Sequence, residues 1–364
     1  MTESRIKTSV VVSHGTHASS CGYCDSYGRS IKFAFTAYLL TCQDYQDLID
    51  RGWRRENNIG EENNNIIITE GTYNPFDKDD VSDVDNTDNN KAKQQQSNKK
   101  PTKTFDIIES IHESEKIEGK HRFKIVLEKS SFTKEKYQLY FKYQTNVHDD
   151  KEYEVSESGF RRFLYEPSSK PNTPGYGSFH QCYYLDDKLI AVAVLDILPS
   201  CISSVYFFYD NDYSAMQLGK YSALREIAMT LELYNEGLKD LQWYYMGYYI
   251  YSCQKMKYKE QYKPSYLLDP VTYEWYPIEK FTPQFEKTKF VTFSNISTSN
   301  TSLKSMLDPR KVTDNDISDL KLFINGEIIP FRSSFIKSTI IKNKLKNFYA
   351  AVGRELAIRM VNVE

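Results

Sequence analysis

Residues 178–275 constrain the fold more than any other stretch of the chain. Two runs of apolar, β-branched and aromatic residues, 179–185 and 188–195, lie on either side of the pair Asp186-Asp187. Because Asp tolerates the backbone conformations that tight turns require, this pattern predicts an antiparallel hairpin.

A third strand, a loop, a helix and a last strand are predicted to follow this hairpin. The strands are residues 202–209 and 241–250, and the helix covers residues 221–236 with Gly237 as its C-terminal cap. Its apolar residues recur at three- and four-residue spacing: Leu224, Ile227, Ala228, Leu231 and Tyr234. This order predicts an α+β or α/β fold of the N-acetyltransferase-like kind, with helices on a mixed sheet.

The loop before this helix bears on the choice of substrate. In such folds the loop and the first helical turn present backbone N–H groups to a phosphate or to a developing oxyanion. A loop that holds acetyl-CoA has Gln or Arg three residues before its glycine, and Gly or Ala two residues after it. Around Gly219 these places hold Met216 and Tyr221. The sequence therefore disfavours an acetyl-CoA-dependent enzyme.

Length and composition set the broad class. A chain of 364 residues predicts two domains and a linker. Because no apolar run approaches the ~18 residues of a membrane-spanning helix and the first residues lack a signal-peptide layout, we expect a protein of the cytoplasm or nucleus without membrane contact. The six cysteines are expected to be thiols or metal ligands. A net charge of −2 means that any RNA would bind a local basic patch.

Several long strings of the sequence resemble the eukaryotic arginyl-tRNA–protein transferases. The strings similar to that family's C-terminal domain are FHQCYY, KLIAVAVLDILPSCISSVYFFYD, LGKYSALREI, WYYMGYYIYSCQKMKYK and PSYLLDP…YEW. CGYC and DYQDLIDRGWRR are similar to its N-terminal domain. The resemblance implies transfer of arginine from arginyl-tRNA to the N-terminal amine of proteins that begin with Asp, Glu or oxidised Cys, which marks them for ubiquitin-dependent degradation. DNA is not an expected partner.

Composition and resemblance together divide the chain into predicted segments. They are a disordered start, residues 1–19; a degenerate N-terminal arginyltransferase domain, 20–76; a disordered insert, 77–104; a connecting segment, 105–175; the C-terminal acyl-transfer domain, 176–281; and a C-terminal extension, 282–364. The insert is almost without apolar residues, so burial cannot offset the entropy of ordering it. The extension ends in a basic amphipathic helix, residues 332–364, expected to pack on the acyl-transfer domain.

The cysteines Cys21 and Cys24 are spaced so that both thiolates can bind one metal ion. An incidental turn or a redox pair fits the same spacing. The resembling family has a second cysteine pair shortly after its G-W-R-R string, and this chain has no cysteine there. A zinc or iron–sulfur site would need Cys42, His14 or His17 as substitutes. We expect no cofactor to be required for transfer.

The implied reaction is direct aminolysis, because an aminoacyl ester is already activated. The enzyme must hold the ester and the amine together, accept a proton and stabilise the oxyanion. The arginyl guanidinium needs a carboxylate, for which Asp196 and Glu226 are the candidates. Alternatively, Asp196 caps the turn that follows it, and Glu226 is a helix-surface residue or pairs with Arg225.

The other tasks of this chemistry fall to further candidate residues. The first helical turn supplies oxyanion donors: Gly219, Lys220, Tyr221 and Ser222. Strand residues supply proton relays and substrate-orienting hydroxyls: His180, Ser203, Ser204, Tyr206, Tyr209, Tyr244 and Tyr248. Basic side chains bind the acidic acceptor residue or the tRNA: Arg54, Arg55, Arg161, Lys220, Arg225, Lys255, Lys257 and Lys259. Core packing of the tyrosines and a solvated surface for the lysines are the alternatives.

Two other functions remain open from the sequence. The missing cysteine pair and the degenerate N-terminal domain fit a catalytically impaired homologue that binds tRNA or acidic N-termini without transfer. The second is an acyltransferase that uses a thioester donor instead of RNA, which the altered loop around Gly219 argues against.

Overall fold

The computed structural model describes residues 8–19, 30–55, 70–73, 105–116, 119–164, 175–269, 272–287, 291 and 307–363. Its strands are β1 Val10–Ser19, β2 Ser30–Leu39, β3 Glu70–Tyr73, β4 Phe123–Lys129, β5 Gly177–Leu185, β6 Lys188–Ile197, β7 Cys201–Tyr209, β8 Trp243–Tyr248, β9 Ser265–Leu268, β10 Trp275–Pro277, β11 Lys321–Ile324, β12 Glu327–Pro330 and β13 Val361–Val363. Its helices are α1 Cys42–Ile49, α2 Ile107–Glu115, α3 Lys134–Val147, α4 Glu157–Leu164, α5 Leu218–Asn235, α6 Gln254–Lys257, α7 Thr282–Phe285, α8 Thr339–Val352 and α9 Arg354–Arg359.

The larger sheet has eight strands in the order β10-β9-β3-β8-β7-β6-β5-β4. Strands β4 to β7 are antiparallel to one another, and β8 pairs with β7 in parallel after the α5 crossover. Asp186 and Asp187 form the β5–β6 turn with φ of 49° and 67°. The predicted hairpin, the order of the elements and the mixed sheet are therefore confirmed.

Helix α5 starts three residues before its predicted start, after Gln217 at φ 51°. Gly237, at φ 121°, follows the C-terminal end as predicted. Leu224, one of the apolar residues at helical spacing, is 37% exposed. The buried side of α5 includes polar residues, among them Glu226, so apolar spacing alone does not define the buried face of this helix.

Strand β6 separates two cores by its alternation. Ala191, Ala193 and Leu195 pack with α5, whereas Val192 and Val194 pack with α3 and α4. Successive side chains of a strand point to opposite faces, so neighbouring residues of β6 belong to different environments. Any site built on this sheet must therefore lie on the α5 face or on the α3 face.

The segments predicted to surround the acyl-transfer domain are parts of the two sheets. The second sheet has the order β12-β11-β13-β1-β2, so strands from both ends of the chain lie side by side. The prediction that residues 1–19 are disordered is wrong for β1, which pairs with β2 and β13 and buries Val11 completely. The predicted connecting segment supplies β4, and β3 joins the larger sheet between β8 and β9.

The C-terminal amphipathic helix is shorter than predicted and shares an apolar core with residues of both the N-terminal part and the acyl-transfer domain. It is α8, and Leu345 and Phe348 join a core that includes Phe35 and Trp53 from the N-terminal part. Ile340, in the first turn of α8, is 73% exposed. The predicted insert lies outside the described residues. Among the described helices, none is long and apolar enough to cross a membrane.

Gly353 joins α8 to α9 with φ 82° and ψ 160°, a region that is essentially restricted to glycine. A methyl group there would also displace the guanidinium of Arg51. We expect Gly353→Ala to lower the free energy of unfolding by about 2–3 kcal/mol. Gly326→Ala is the matched control, because Gly326 has φ 88° with nothing within 4 Å, and it should cost only about 1 kcal/mol. Equal losses in urea denaturation would contradict the role given to Gly353.

Candidate active site

Glu226 is the centre of a buried polar network on the α5 face of the larger sheet. Its side chain is 1% exposed. Ser222, one turn earlier in α5, donates a hydrogen bond to Oε1, and the Tyr244 hydroxyl on β8 donates to Oε2 at 2.6 Å. The Ser204 hydroxyl on β7 lies near enough to lower the pKa of the same carboxyl. The carboxyl is therefore surrounded by hydroxyl groups from a helix and two strands.

The network continues away from Glu226 along β5. The Tyr183 hydroxyl donates to Ser222 Oγ at 3.1 Å and accepts a hydrogen bond from Gln181 Nε2 at 2.5 Å. Gln181, Tyr183 and Glu226 are all at most 1% exposed. Sequence reasoning missed Gln181 and Tyr183, because their polar role depends on α5 and no local motif marks it.

Burial raises the pKa of Glu226, and the hydrogen bonds from Ser222, Tyr244 and Ser204 partly oppose this shift. Within the described part of the chain, no basic side chain forms an ion pair with this carboxyl. Tyr258 and Tyr262 lie close enough that the Glu226 charge adds to the burial that raises the pKa of both phenols. An aromatic, cation-free carboxyl site of this kind suits a ligand that brings its own positive charge.

The strands on either side of this site separate. β7 and β8 pair from Cys201 with Trp243 to Ser203 with Tyr245. Beyond these positions β7 continues to Tyr209 without further pairing to β8 among the described residues. Ser204 and Tyr244, the strand partners of Glu226, therefore lie where the two strands begin to diverge.

Asp196 forms a different cluster with the N-terminal part of the chain. Arg55 Nη1 lies 3.3 Å from Asp196 Oδ1, and Ser178 Oγ donates to the same oxygen at 2.5 Å. The Tyr45 hydroxyl of α1 donates to Oδ2 at 3.0 Å. The alternation of β6 places Asp196 on the face opposite Leu195, away from Glu226. Its two oxygens are already held by a guanidinium and two hydroxyls of the protein itself.

His180 lies on the α3 face and is completely buried. Its Nε2 donates to the Leu164 carbonyl at 2.7 Å, and the Lys136 ammonium donates to Nδ1 at 3.0 Å. Burial, with help from the charge of Lys136, lowers the pKa of His180 to about 4. The imidazole is therefore neutral and fixed, and the structure does not bring it to the Glu226 network as a relay.

Two of the predicted relay tyrosines also serve packing. The Tyr206 hydroxyl donates to Gln144 Oε1 on α3 at 2.6 Å, which places it on the α3 face. The Tyr209 ring stacks on Phe207 with ring centroids 5.9 Å apart. Tyr244 is the predicted tyrosine that does reach Glu226. Ser203 pairs with Asp196 across the strands, whereas Ser204 reaches Glu226.

The predicted anion-binding cations have partners inside the fold. Arg225 lies 3.2 Å from Glu115 and 3.1 Å from Glu232, so its charge is largely neutralised. The Arg161 guanidinium lies 3.4 Å from the centroid of the Phe132 ring. Lys220 is exposed at the start of α5. The Arg225 prediction needs correction: an acidic side chain would meet two carboxylates beside it.

The basic segment after β8 is partly turned inward. Lys257 Nζ lies 4.3 Å from the centroid of the Tyr251 ring, and Lys259 Nζ donates to the Tyr248 carbonyl at 2.5 Å. Burial lowers the pKa of Lys259 to about 7, which makes it a weaker phosphate anchor than predicted. Arg54 lies over the Tyr245 ring at 5.4 Å. The side chain of the remaining predicted lysine, residue 255, lies outside the described part.

The start of α5 offers fewer oxyanion donors than the sequence predicted. The backbone N–H groups of Lys220 and Tyr221 donate to the Gln217 carbonyl at 2.9 and 3.3 Å. Ser222 lies within the helix, where its N–H belongs to the helical ladder. A Cβ at Gly219 would lie in van der Waals contact with the Phe207 ring. The role of Gly219 as an oxyanion donor stays a prediction.

The predicted metal pair, Cys21 and Cys24, lies outside the described residues. Of the proposed substitutes, Cys42 is buried, and burial raises the pKa of its thiol to about 11. His14 Nε2 lies 2.7 Å from the Thr36 hydroxyl. No group of three or more His, Cys, Asp or Glu side chains suited to a metal occurs among residues that the structure describes.

Comparison with known proteins identifies the family. Residues 19–60 match the family model "Arginine-tRNA-protein transferase, N terminus", and residues 135–269 match the corresponding C-terminus model. Arginyl-tRNA–protein transferase 1 of Drosophila melanogaster is 30% identical, in a match that covers 74% of this chain and 82% of that protein. The chain belongs to the arginyl-tRNA–protein transferase family. The predicted family resemblance is confirmed.

Other relatives of this family match shorter stretches. Arginyl-tRNA–protein transferase 1 of Arabidopsis thaliana is 44% identical over 211 residues, 54% of this chain and 33% of that protein. The match thus spans about a third of the length of the Arabidopsis relative. An aspartate/glutamate leucyltransferase of Campylobacter jejuni is 32% identical over 149 residues, 40% of this chain and 57% of that protein.

The Arg55–Asp196 pair generates a stability prediction. We expect Arg55→Met and Asp196→Asn each to lower the free energy of unfolding by about 3–5 kcal/mol, because each removes one charge of a largely buried ion pair. The double variant should lose less than the sum, with a coupling of about 1–3 kcal/mol in urea denaturation. The exposed pair Arg122–Asp187, with side chains 67% and 74% exposed, is the control and should show little coupling. Additive losses at Arg55 and Asp196 would contradict a shared buried pair.

His180 generates a pH prediction. Well above pH 6.5, its ordinary pKa, both the folded and the unfolded chain hold the imidazole neutral. Between pH 6.5 and about 4 the unfolded chain binds a proton that the folded chain does not, so stability falls as the pH falls. We expect a loss of roughly 1.5 kcal/mol from pH 6.5 to 5, measured by urea denaturation.

His180→Asn should remove this part of the pH dependence. His121→Asn should keep it, because His121 is 56% exposed and does not contact His180. Identical pH dependence in the wild type and His180→Asn would show that this imidazole is not the group responsible.

Proposed function

We propose that the chain transfers arginine from arginyl-tRNA to the N-terminal amine of proteins that begin with Asp, Glu or oxidised Cys, and so marks them for ubiquitin-dependent degradation. Family membership supports the donor and the reaction, since the relatives are named arginyl-tRNA–protein transferases. The name of the Campylobacter relative supports acidic acceptors. The proposed place of action is the cytoplasm or the nucleus.

Glu226 is the residue that we assign to the arginyl guanidinium, and its environment is the observation that supports this role. The carboxyl is buried, has a raised pKa and has no basic partner among the described residues. A guanidinium that enters beside it supplies the missing charge and can use both carboxyl oxygens. Asp196, whose charge is already paired with the Arg55 guanidinium, is less suited to this role.

The divergence of β7 and β8 next to Glu226 gives the ester a place to lie. With the guanidinium at the carboxyl, the carbonyl group extends toward the gap between the strands and the start of α5. The acceptor nitrogen forms the amide bond to the carbonyl carbon, and the bond from that carbon to the tRNA oxygen breaks. The amine loses a proton and the departing oxygen gains one, so no further reactant is consumed.

A single assay tests the proposal and its main rival. Purified protein is mixed with tRNA charged with labelled arginine or labelled leucine, and with peptides that begin with Asp, Glu or Ala. We expect label from arginine on the Asp and Glu peptides and none on the Ala peptide. Transfer of leucine instead would favour the activity named for the Campylobacter relative. Binding of tRNA without any transfer would favour the impaired homologue.

Glu226→Gln tests the proposed guanidinium site. Because the substitution removes the charge and keeps the shape, we expect discrimination between arginine and leucine, as the ratio of kcat/KM values, to fall roughly 100-fold. Glu135→Gln on the exposed side of α3 is the matched control and should leave the ratio unchanged. An unchanged ratio in a folded Glu226→Gln protein would remove the guanidinium role and leave the overall transfer reaction untouched.

A further inference from the structure

A cavity of about 380 Å³ lies on the far side of α5 from the divergence of β7 and β8. Its apolar wall is formed by Phe123, Ile125 and Leu127 of the edge strand β4, with Met229 and Leu233 of α5. Its polar lining is Glu115, Gln181, Arg225, Glu232 and Glu236. A volume of this size is within the range of cavities that hold small organic ligands.

Acidic side chains outnumber basic ones in the described lining of the cavity. Among the described residues, Arg225 is the basic group that lines the cavity, and it lies between Glu115 and Glu232 at 3.2 and 3.1 Å. His112 contacts the same two carboxylates, at 3.3 and 2.8 Å, from the α2 side. Glu236 adds a third carboxylate, so the lining carries an excess of negative charge. A cation is favoured over an anion in this cavity.

Gln181 adds a buried acceptor that points to the same kind of ligand. Tyr183 donates its hydroxyl proton toward Ser222, so it must accept from the Gln181 amide N–H. The amide nitrogen of Gln181 therefore faces Tyr183, and the amide oxygen Oε1 faces away from it. Within the described residues Oε1 accepts no side-chain hydrogen bond, although Gln181 is only 1% exposed and lines the cavity. A ligand with N–H donors would satisfy it.

We propose that this cavity binds a small organic cation that carries N–H donors on an apolar body, such as an aryl amidine. The apolar body packs on the β4 and α5 wall, and the donors reach Gln181 Oε1 and the carboxylates. Glu115 and the β4 residues precede residues 135–269, which match the C-terminus model of the family. The site is separate from Glu226 and does not depend on the proposed transfer reaction, but the Gln181–Tyr183–Ser222 chain joins the two.

The test is calorimetric titration of the full chain with benzamidine, and with benzamide as the neutral isostere. We expect benzamidine to bind at least 10-fold more tightly, because benzamide lacks the charge. Glu232→Gln should weaken benzamidine binding about 10-fold. Glu113→Gln changes an exposed carboxyl on α2 that does not line the cavity, so it is the matched control and should leave binding unchanged.

A second variant tests the site in case Glu232→Gln, which disturbs the ion pair with Arg225, does not fold. Leu127 is 41% exposed at the cavity, so Leu127→Lys places an ammonium there with little structural cost and should abolish benzamidine binding. Equal affinity for benzamide and benzamidine would overturn the proposal. So would benzamidine binding that is lost in Glu226→Gln but kept in Glu232→Gln, which would place the cation in the proposed arginine site.

Discussion

The buried contact between Arg55 and Asp196 joins the N-terminal part of the chain to the larger sheet. Arg55 follows α1, and α1 itself supplies Tyr45 to the same carboxylate. In a charge pair with side chains only 11% and 1% exposed, the carboxylate needs further hydrogen-bond donors, and Ser178 and Tyr45 provide them to Asp196. The position of α1 on the sheet is therefore fixed by directional contacts as well as by apolar burial.

The contacts between α1 and the larger sheet continue along the ends of β7 and β8. Gln46 of α1 accepts hydrogen bonds from the Ser200 backbone and from the Cys201 thiol, and the Tyr245 hydroxyl donates to Asp50 at 2.5 Å. Because α8 and the smaller sheet share their apolar core with α1, both ends of the chain are held against the strands that diverge beside Glu226. The contacts that assemble the molecule thus border the proposed reaction site.

The two carboxylates that the sequence singled out have different roles because of the sheet. Asp196 faces α1 and is neutralised within the protein, whereas Glu226 on α5 faces hydroxyl groups and lacks a basic partner among the described residues. Asp196 holds the structure together, and Glu226 is the carboxyl that we propose for the arginyl guanidinium.

The sequence by itself determined the hairpin at Asp186-Asp187, the helix that ends before Gly237, the mixed sheet and the family, since turn chemistry, apolar periodicity and long matching strings are local properties. It also identified Glu226, Tyr244 and Ser204 as candidates. Only the tertiary structure decided that β1 and β13 are neighbours, and that Asp196 meets Arg55. Those outcomes depend on contacts between residues far apart in the chain, for which one sequence contains no local signal.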